Sequence, residues 1–481
     1  MQSLEKTHVA LISSPTIGNL VPTVEFAQRL VDRDSRLTAT ILIVTMSQRR
    51  VLNDYIQSRV STTMSGVNFI PLPVAEPPKP DQYQSSMGYM SLFIAKHKVH
   101  VKEAIVKHRF GGLFIDMFCT SMIDVANELG VPCYLYFQSP ASFLGFMLHL
   151  PTLETQFTSE FTIADTGLLV PKDPTLELDI PSFVNPLPLL VLPSSVLKRT
   201  QDGYFWFLQH ALRYKETRGL VVNTFKEIEQ HAVNSISASN LPPVYTIGPV
   251  LDLAGPVQWH PDKAQQGGVM KWLDDQPSSS VVFLCFGSMG SLSSSQLKEI
   301  AVGLEQTRIR FLWSIREPPK GKLDLPGEYA NLEEILPEGF MERTATLGLV
   351  CGWVPQVTIL GHQAIGGFVS HCGWNSILES LWYGVPIATW PVYAEQQMNA
   401  FQLVKELGLA VELRLDYREG SDLVVAEELE RALRRLMDGG GDHLRRKVKE
   451  MSDMSRKAVM ENGSSYVSLG SLIHKLIAEA A

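Results

Sequence analysis

Short apolar runs alternate with longer mixed segments through the first half of the chain. His8–Ser13 is an apolar run of strand length, Ala39–Thr45 is rich in β-branched residues, and Gly112–Ile115 and Pro132–Phe137 repeat the pattern. Between them, Thr23–Leu30 has helical character after a loop punctuated by Gly18 and Pro22, and Met122–Leu129 predicts a helix ending at Gly130. Strand–helix alternation of this kind predicts parallel sheets in an α/β fold. Residues 151–200 lose the periodicity, and Pro186, Pro188 and Pro193 predict an extended surface excursion. Gly219–Asn223 resumes the strand pattern, Tyr245–Pro249 follows, and the polar stretch Gln258–Gly268 is the expected interdomain linker. The pattern restarts at Ser280. Val281–Phe286, Arg310–Ile315, Gly348–Gly352 and Gly366–Ser370 are predicted strands, Gly287–Ser291 a small-residue turn, Ser295–Gln306 a helix, and 317–337 a polar loop. Ser465–Ala480 predicts an amphipathic helix. The expected architecture is two doubly wound domains facing a cleft, with ligands beyond the carboxyl ends of the strands.

The 481 residues suit two or more domains, and 45% hydrophobic against 19% charged residues excludes a disordered chain. A net charge of −8 argues against a nucleic-acid backbone as partner, while a small phosphate-bearing ligand stays open. The five cysteines form no CxxC pair and predict buried, reduced thiols. The first seven residues contain Glu5 and Lys6 and no signal-peptide core, and no uncharged apolar run has the length of a membrane span. A cytoplasmic location is the expectation, with a monomer as the default.

The run Trp353-Val354-Pro355-Gln356, then His371-Cys-Gly373-Trp374-Asn375-Ser376, Glu379 and Glu395-Gln396 carries the chemistry. A turn from the strand Gly366–Ser370 into a helix at Asn375–Leu381 points free N–H groups and a positive dipole end outward, which suits phosphate. Gly373 allows close backbone approach, Asn375 and Ser376 offer further donors, and His371 can donate to a diphosphate oxygen. A capped helix after a core strand explains the same letters without a ligand. Glu379, one turn on, suits two vicinal ribose hydroxyls, though a solvated helix charge is the commoner case. Trp353 and Gln356 offer a flat apolar face and an amide to a pyrimidine.

These 44 residues, Trp353 through Gln396, resemble the signature box of plant family 1 UDP-glycosyltransferases, with spacing and identity matching throughout. The similarity extends to Phe286-Gly-Ser288, Trp272-Leu-Asp-Asp-Gln-Pro277 and the last helix. It implies a GT-B fold, α/β, of two Rossmann-like domains: 1–250 for the acceptor, 251–460 for the UDP-sugar, and 461–481 as a helix packing back on the first. It implies that Trp353 stacks on uracil, that Gln356 contacts the uridine, that Glu379 holds the ribose, and that Val354 belongs to the same donor site. Ser288, His371, Gly373, Asn375 and Ser376 would surround the diphosphate, Trp374 would lie near the sugar through its backbone, and Glu395 and Gln396 would bind sugar hydroxyls. A terminal Gln implies glucose as donor. The implied reaction is inverting transfer of glucose from UDP-glucose to a small apolar acceptor, a phenolic, flavonoid or terpenoid hydroxyl, as in plant secondary metabolism.

One position departs from the family. Its catalytic base is a His within Pro-x-x-Gly-His-x-x-Pro, and here the run is Pro15-Thr-Ile-Gly18-Asn19-Leu-Val-Pro22. The partner Asp is present as Asp116, after Gly112-Leu-Phe-Ile. Asn19 can orient a hydroxyl but cannot take its proton. Four explanations follow: an acceptor acidic enough to ionise with little help, Asp116 acting directly or through a water, C–C or N–C bond formation with a self-activated acceptor, or a nucleotide-sugar-binding form with little turnover. No other His substitutes convincingly. His97 and His100 share a helical stretch without a third metal ligand, and Asp32-Arg-Asp34 is a surface turn. No metal and no cofactor beyond UDP-glucose as co-substrate are expected, because a helix dipole, His371 and neutral donors can stabilise the leaving group. A dinucleotide-binding dehydrogenase is set aside because Gly287-Ser-Met-Gly290-Ser lacks the G-x-G-x-x-G spacing. For the acceptor, Met87, Phe118, Phe137, Phe146, Phe183, Tyr204 and Tyr393 are candidate lining residues, and each has ordinary core as its competing explanation. Gln138 stands where relatives have a small hydroxyl residue. The run Ile180-Pro-Ser-Phe-Val-Asn-Pro-Leu-Pro resembles a subgroup acting on phenolics and other small acceptors.

Overall fold

The computed structural model describes all residues except 1–5, 47–49, 62–63, 166, 174, 255–262, 320–325, 419–421, 439–441 and 481. The chain forms two units: Met1–Leu189, Ser194–Asp252 and Lys457–Ala481 make the first, and Leu190–Pro193 with Leu253–Arg456 the second.

The first unit is built on a seven-stranded parallel sheet in the order Val244–Thr246, Leu220–Val222, Cys133–Phe137, Gly112–Ile115, Thr7–Ile12, Leu37–Ile43, Val67–Pro71. Both faces are covered, so Val9 through Ile12 and Gly112 through Ile115 are buried without alternation. Chain order reverses at Thr7–Ile12, whose neighbours are Leu37–Ile43 and Gly112–Ile115. That reversal leaves a crevice beyond the carboxyl ends of the two central strands, at Ser13–Ser14 and Asp116.

The helix after the first strand runs Ile17–Arg33 and takes in Gly18, Asn19 and Pro22, where a loop to residue 22 is expected. Pro22 sits in the second turn, and burial of Leu20, Val24, Phe26, Ala27 and Leu30 outweighs the hydrogen bond it removes. Met122–Leu129 is a helix capped by left-handed Gly130. The helix Ala141–Glu160 continues through Pro151, into the region expected to be extended. Its N-terminus is capped from outside: the buried Glu229 carboxylate accepts from Ala141 N at 2.7 Å and Ser142 N at 2.9 Å. Beyond it lie two short antiparallel pairs, Phe161–Ile163 with Leu169–Pro171 and Glu177–Leu178 with Leu187–Pro188.

The last helix, Ser464–Ala480, belongs to this first unit and buries Leu469, Leu472, Ile473 and Leu476. Ser465 Oγ donates to Gly248 O at 2.5 Å, Tyr134 Oη to Glu479 at 2.5 Å, and Arg33 lies 3.8 Å over the Tyr466 ring.

The second unit repeats the plan with six parallel strands in the order Gly348–Cys351, Arg310–Ser314, Val281–Cys285, Ile365–Ser370, Ile387–Thr389, Ala410–Glu412. Its core joins Leu284, Trp313, Val369 and Trp390 to Leu429 and Leu433 of the helix Ala426–Met437. The reversal falls at Val281–Cys285, between Arg310–Ser314 and Ile365–Ser370. Of the expected linker, 258–262 lies outside the described residues, and the rest belongs to the helix Lys263–Asp274. The boundary between the units is at Asp252.

Candidate active site

Each unit carries one constellation of sequence-predicted residues at its strand-order reversal. In the first, Thr7–Ile12 and Gly112–Ile115 end side by side, which brings Asn19 against Asp116 although 97 residues separate them. Asp116 is buried, at 1% exposure, and its carboxylate is nonetheless well partnered. Oδ2 accepts from Ser14 N at 2.5 Å and from Asn19 Nδ2 at 3.2 Å, and Oδ1 accepts from Phe118 N at 2.9 Å. Asn19 is half-buried, and its Oδ1 accepts from Thr16 Oγ1 at 3.1 Å. Residue 19 is therefore oriented from both ends of its amide, with the donor end turned to the carboxylate. Gln138 fixes the backbone beneath: Nε2 donates to Asn19 O at 2.8 Å and to Thr23 Oγ1 at 2.6 Å, while Oε1 has no protein partner. Burial, with the Asp116 charge beside it, pushes the Cys119 thiol well up, so it is no thiolate nucleophile.

Sequence reasoning missed the supports of this loop. Tyr214 Oη donates to Met117 O at 3.1 Å, and the His210 ring bridges Thr120 Oγ1 at 2.7 Å and Ser91 Oγ at 2.9 Å. Burial lowers His210 to about 3, so the ring is neutral. Both residues lie on the helix Gly203–Tyr214, and nothing local in the sequence ties them to Asp116.

The acceptor candidates of this unit divide. Met87, on the helix Ser86–Ala95, and Phe118 are half-buried. Phe137 and Phe146 are fully buried, packed with Phe143 at centroid distances of 6.0 Å each, and so form part of the core in this structure. They point inward because Phe137 ends a strand covered on both faces and Phe146 lies on the inner side of Ala141–Glu160. Phe183 is buried as well, and so is Tyr204, whose hydroxyl donates to Glu154 under the Arg199 guanidinium.

In the second unit, Ile365–Ser370 leads through His371-Cys372-Gly373 into the helix Trp374–Tyr383. Cys372 has φ +62°, and its carbonyl accepts from Asn399 Nδ2 at 2.9 Å, which holds the reversal. The helix N-cap is Gly373, without a side-chain cap, and the positive end of the helix dipole lies at this turn. His371 is wedged between two glycines. A Cβ at Gly287 would lie 2.6 Å from His371 Nε2, and one at Gly373 2.5 Å. Gly287 also has φ +77°, which a side chain would strain. Burial lowers His371 to about 4, and its Nδ1 has no protein partner, so it is a neutral ring with one N–H to give. Ser288 follows Gly287 and is half-buried.

Gln356 Nε2 donates to Ser376 Oγ at 2.8 Å and to Glu379 Oε2 at 2.7 Å, joining three of the predicted donor residues. Trp353 is half-buried and Val354 buried, on the segment between Gly348–Cys351 and the short helix Gln356–Leu360. Trp374 is buried, at 3% exposure. Asn375 and Glu379 are half-buried on the same helix. Gln396 Oε1 accepts from Val392 N and Tyr393 N, both at 2.9 Å, which fixes the orientation of its amide. Glu395 precedes it as N-cap of Gln396–Phe401. Tyr393 stands 6.2 Å from the His371 ring, and burial pushes its hydroxyl up. Among the described residues no cluster of three or more His, Cys, Asp or Glu could hold a metal ion, and no helix is long and apolar enough to cross a membrane.

Two Rossmann-like units, the second with a strand–turn–helix junction and a carboxylate one turn along that helix, have the two-domain architecture of GT-B glycosyltransferases. Comparison with known proteins agrees. Residues 242–456 match the family model described as UDP-glucoronosyl and UDP-glucosyl transferase. The chain is 53% identical to UDP-glycosyltransferase 43 of Pueraria montana var. lobata over 98% of its own length and 100% of that protein. It is 47% identical to UDP-glucose flavonoid 3-O-glucosyltransferase 6 of Fragaria ananassa, with 98% of each covered. The crystal structure of Medicago truncatula UGT71G1 complexed with UDP-glucose superposes with a TM-score of 0.88 at 42% identity, covering 98% of this chain and 99% of that one. This chain belongs to the plant family 1 UDP-glycosyltransferases and has their GT-B fold. It is a glycosyltransferase that uses a UDP-sugar and a small acceptor.

Proposed function

We propose that the protein transfers glucose from UDP-glucose, with inversion, to a small apolar acceptor whose own acidity replaces the missing base. The observation that carries this is the Asn19–Asp116 contact: the amide donates to the carboxylate at 3.2 Å and has no lone pair basic enough to take a proton at neutral pH. The acceptor oxygen attacks the anomeric carbon from the face opposite the diphosphate. The C1–O bond to UDP breaks, and the proton passes to solvent. Direct proton abstraction by Asp116 is disfavoured because the carboxylate is buried and three N–H groups occupy it.

On the donor side, Trp353, Val354 and Gln356 would receive the uridine and Glu379 the ribose. Ser288, His371, Gly373, Asn375 and Ser376 would receive the diphosphate, and Glu395, Gln396 and the Trp374 backbone the sugar. The first-turn N–H groups and the neutral His371 stabilise the departing diphosphate without a metal. Met87, Phe118, Gln138 and Tyr393 are the acceptor-side candidates that keep exposure or an open polar atom. A cytosolic monomer fits this chemistry.

The test is product formation from UDP-glucose, with chelator present, across phenols graded by pKa. Rates that rise as the acceptor becomes more acidic support the proposal, and rates independent of acceptor pKa contradict it. A second reading, a form that binds UDP-sugars with little turnover, rests on the same amide. It predicts UDP binding with no product from any acceptor, the most acidic included.

A further inference from the structure

Trp353 is held by a carboxylate outside the signature segment. Glu328 Oε1 accepts from Trp353 N at 2.9 Å. The carboxylate lies against the backbone so closely that a Cβ at Gly352 would come within 2.6 Å of Glu328 Oε2. From the other side, Ser314 Oγ donates to Gly352 O at 2.8 Å. The segment that presents Glu328 is itself anchored. Glu317 and Gly327 exchange backbone hydrogen bonds of 3.0 and 2.9 Å, Arg316 Nε donates to Gly327 O at 3.1 Å, and Arg316 Nη2 donates to Pro326 O. A half-buried guanidinium thus fixes two carbonyls next to Glu328, whose carboxylate accepts from one amide.

We propose that Glu328, supported by Arg316, is a positioning residue for nucleobase recognition: it sets the placement of the Trp353 indole without touching the nucleotide. The proposal rests on the reading of Trp353 as the uracil platform. A stacking surface discriminates only if its height and tilt are fixed. Trp353 follows Gly352, and Glu328 ties its amide to a neighbouring segment. Glu328 is solvent-exposed, so its effect on binding should be moderate.

The experiment is calorimetric titration of the full chain with UDP and with ADP, beside donor-saturation kinetics, for Glu328→Ala, Glu328→Gln and Trp353→Ala. Glu328→Ala should weaken UDP by about fivefold to tenfold, the scale of one ordinary hydrogen bond at an exposed position. It should raise the KM for the UDP-sugar by the same factor, leave kcat and the acceptor KM within about twofold, and narrow the preference for UDP over ADP. Glu328→Gln keeps an acceptor oxygen and should recover most of the affinity, which separates positioning from a general loss of fold. Unchanged UDP affinity in Glu328→Ala, with a clear loss in Trp353→Ala, overturns the positioning role and leaves the platform intact. Unchanged affinity in Trp353→Ala removes the platform and the proposal with it. A fall in kcat at constant KM places Glu328 in another role and also overturns it.

Discussion

Asn19→His should convert this site to ordinary general-base chemistry, by an amount that depends on the acceptor. In both side chains a nitrogen is bonded directly to Cγ, so imidazole Nδ1 can take the place of Asn19 Nδ2, 3.2 Å from Asp116 Oδ2. Asp116 will not move to meet it, because Ser14 N and Phe118 N hold its two oxygens independently of residue 19. With Nδ1–H donated to the carboxylate, Nε2 becomes a free acceptor turned away from Asp116, the tautomer a general base needs. The swap costs one hydrogen bond, Thr16 Oγ1 to Asn19 Oδ1 at 3.1 Å, at a half-exposed position where water can replace it. General-base assistance is worth about 10²–10⁴-fold, roughly 3–5 kcal/mol of barrier. That gain applies only while the acceptor hydroxyl is protonated. For a phenol already ionised at the assay pH it should fall towards unity, and for an aliphatic alcohol it should be largest. The assay is kcat/KM at saturating UDP-glucose for wild type and variant across phenols and alcohols whose pKa values bracket the assay pH. The variant should also gain a rising limb in its pH profile at or above about 6.5, since the Asp116 charge favours the imidazolium. Equal gains for ionised and neutral acceptors, or no gain for any acceptor while UDP affinity is unchanged, would refute the reasoning.

Gly373→Ala should weaken UDP binding by about tenfold or more, because its Cβ would fall 2.5 Å from His371 Nε2 and displace the ring; Gly287→Ala adds left-handed strain and should be worse, both readable by calorimetry. His210 and His371 are buried neutral at about 3 and about 4, below the ordinary 6.5, so the unfolded chain binds the extra protons first. The stability they contribute is present above pH 6.5 and is lost as pH falls towards 4, by a few kcal/mol in order of magnitude, and His210→Gln should flatten the fall in Tm over that window. Glu25 has the opposite sign. Burial, with Asp252 beside it, raises it to about 7, so stability is lost as pH rises from 4.5 through 7, and Glu25→Gln should raise Tm at pH 8 relative to pH 5. An unchanged pH slope in either variant would count against the assigned burial.

The strands were legible because a sheet covered on both faces demands unbroken apolar runs, and Gly112–Ile115 and Met122–Leu129 fall at their expected limits. The grouping of the signature residues was legible because a strand, a turn and a helix put them at fixed offsets, and there Gln356 meets Ser376 and Glu379. What escaped was set by tertiary structure. Pro22 and Pro151 lie inside helices whose burial outweighs a lost hydrogen bond, and Gly267 and Gly268 lie in a helix although both read as linker. Aromatic residues near a predicted site carry no mark that separates packing from lining, and Phe137 and Phe146 proved to be packed. Ser14 N, which donates to Asp116, and Glu328, which accepts from Trp353 N, stand 102 and 25 residues from their partners, and no local pattern announces either.

The first unit is discontinuous, since residues 457–480 complete it after the whole second unit has intervened. During synthesis this imposes an order of events. The seven strands can assemble early, but the surface that receives Leu469, Leu472, Ile473 and Leu476 stays bare until about two hundred further residues have left the ribosome. A nascent chain therefore carries an unsealed apolar groove for as long as translation of the second unit lasts. Premature termination anywhere in that interval would leave the groove permanently open, a form for chaperones and proteases to recognise.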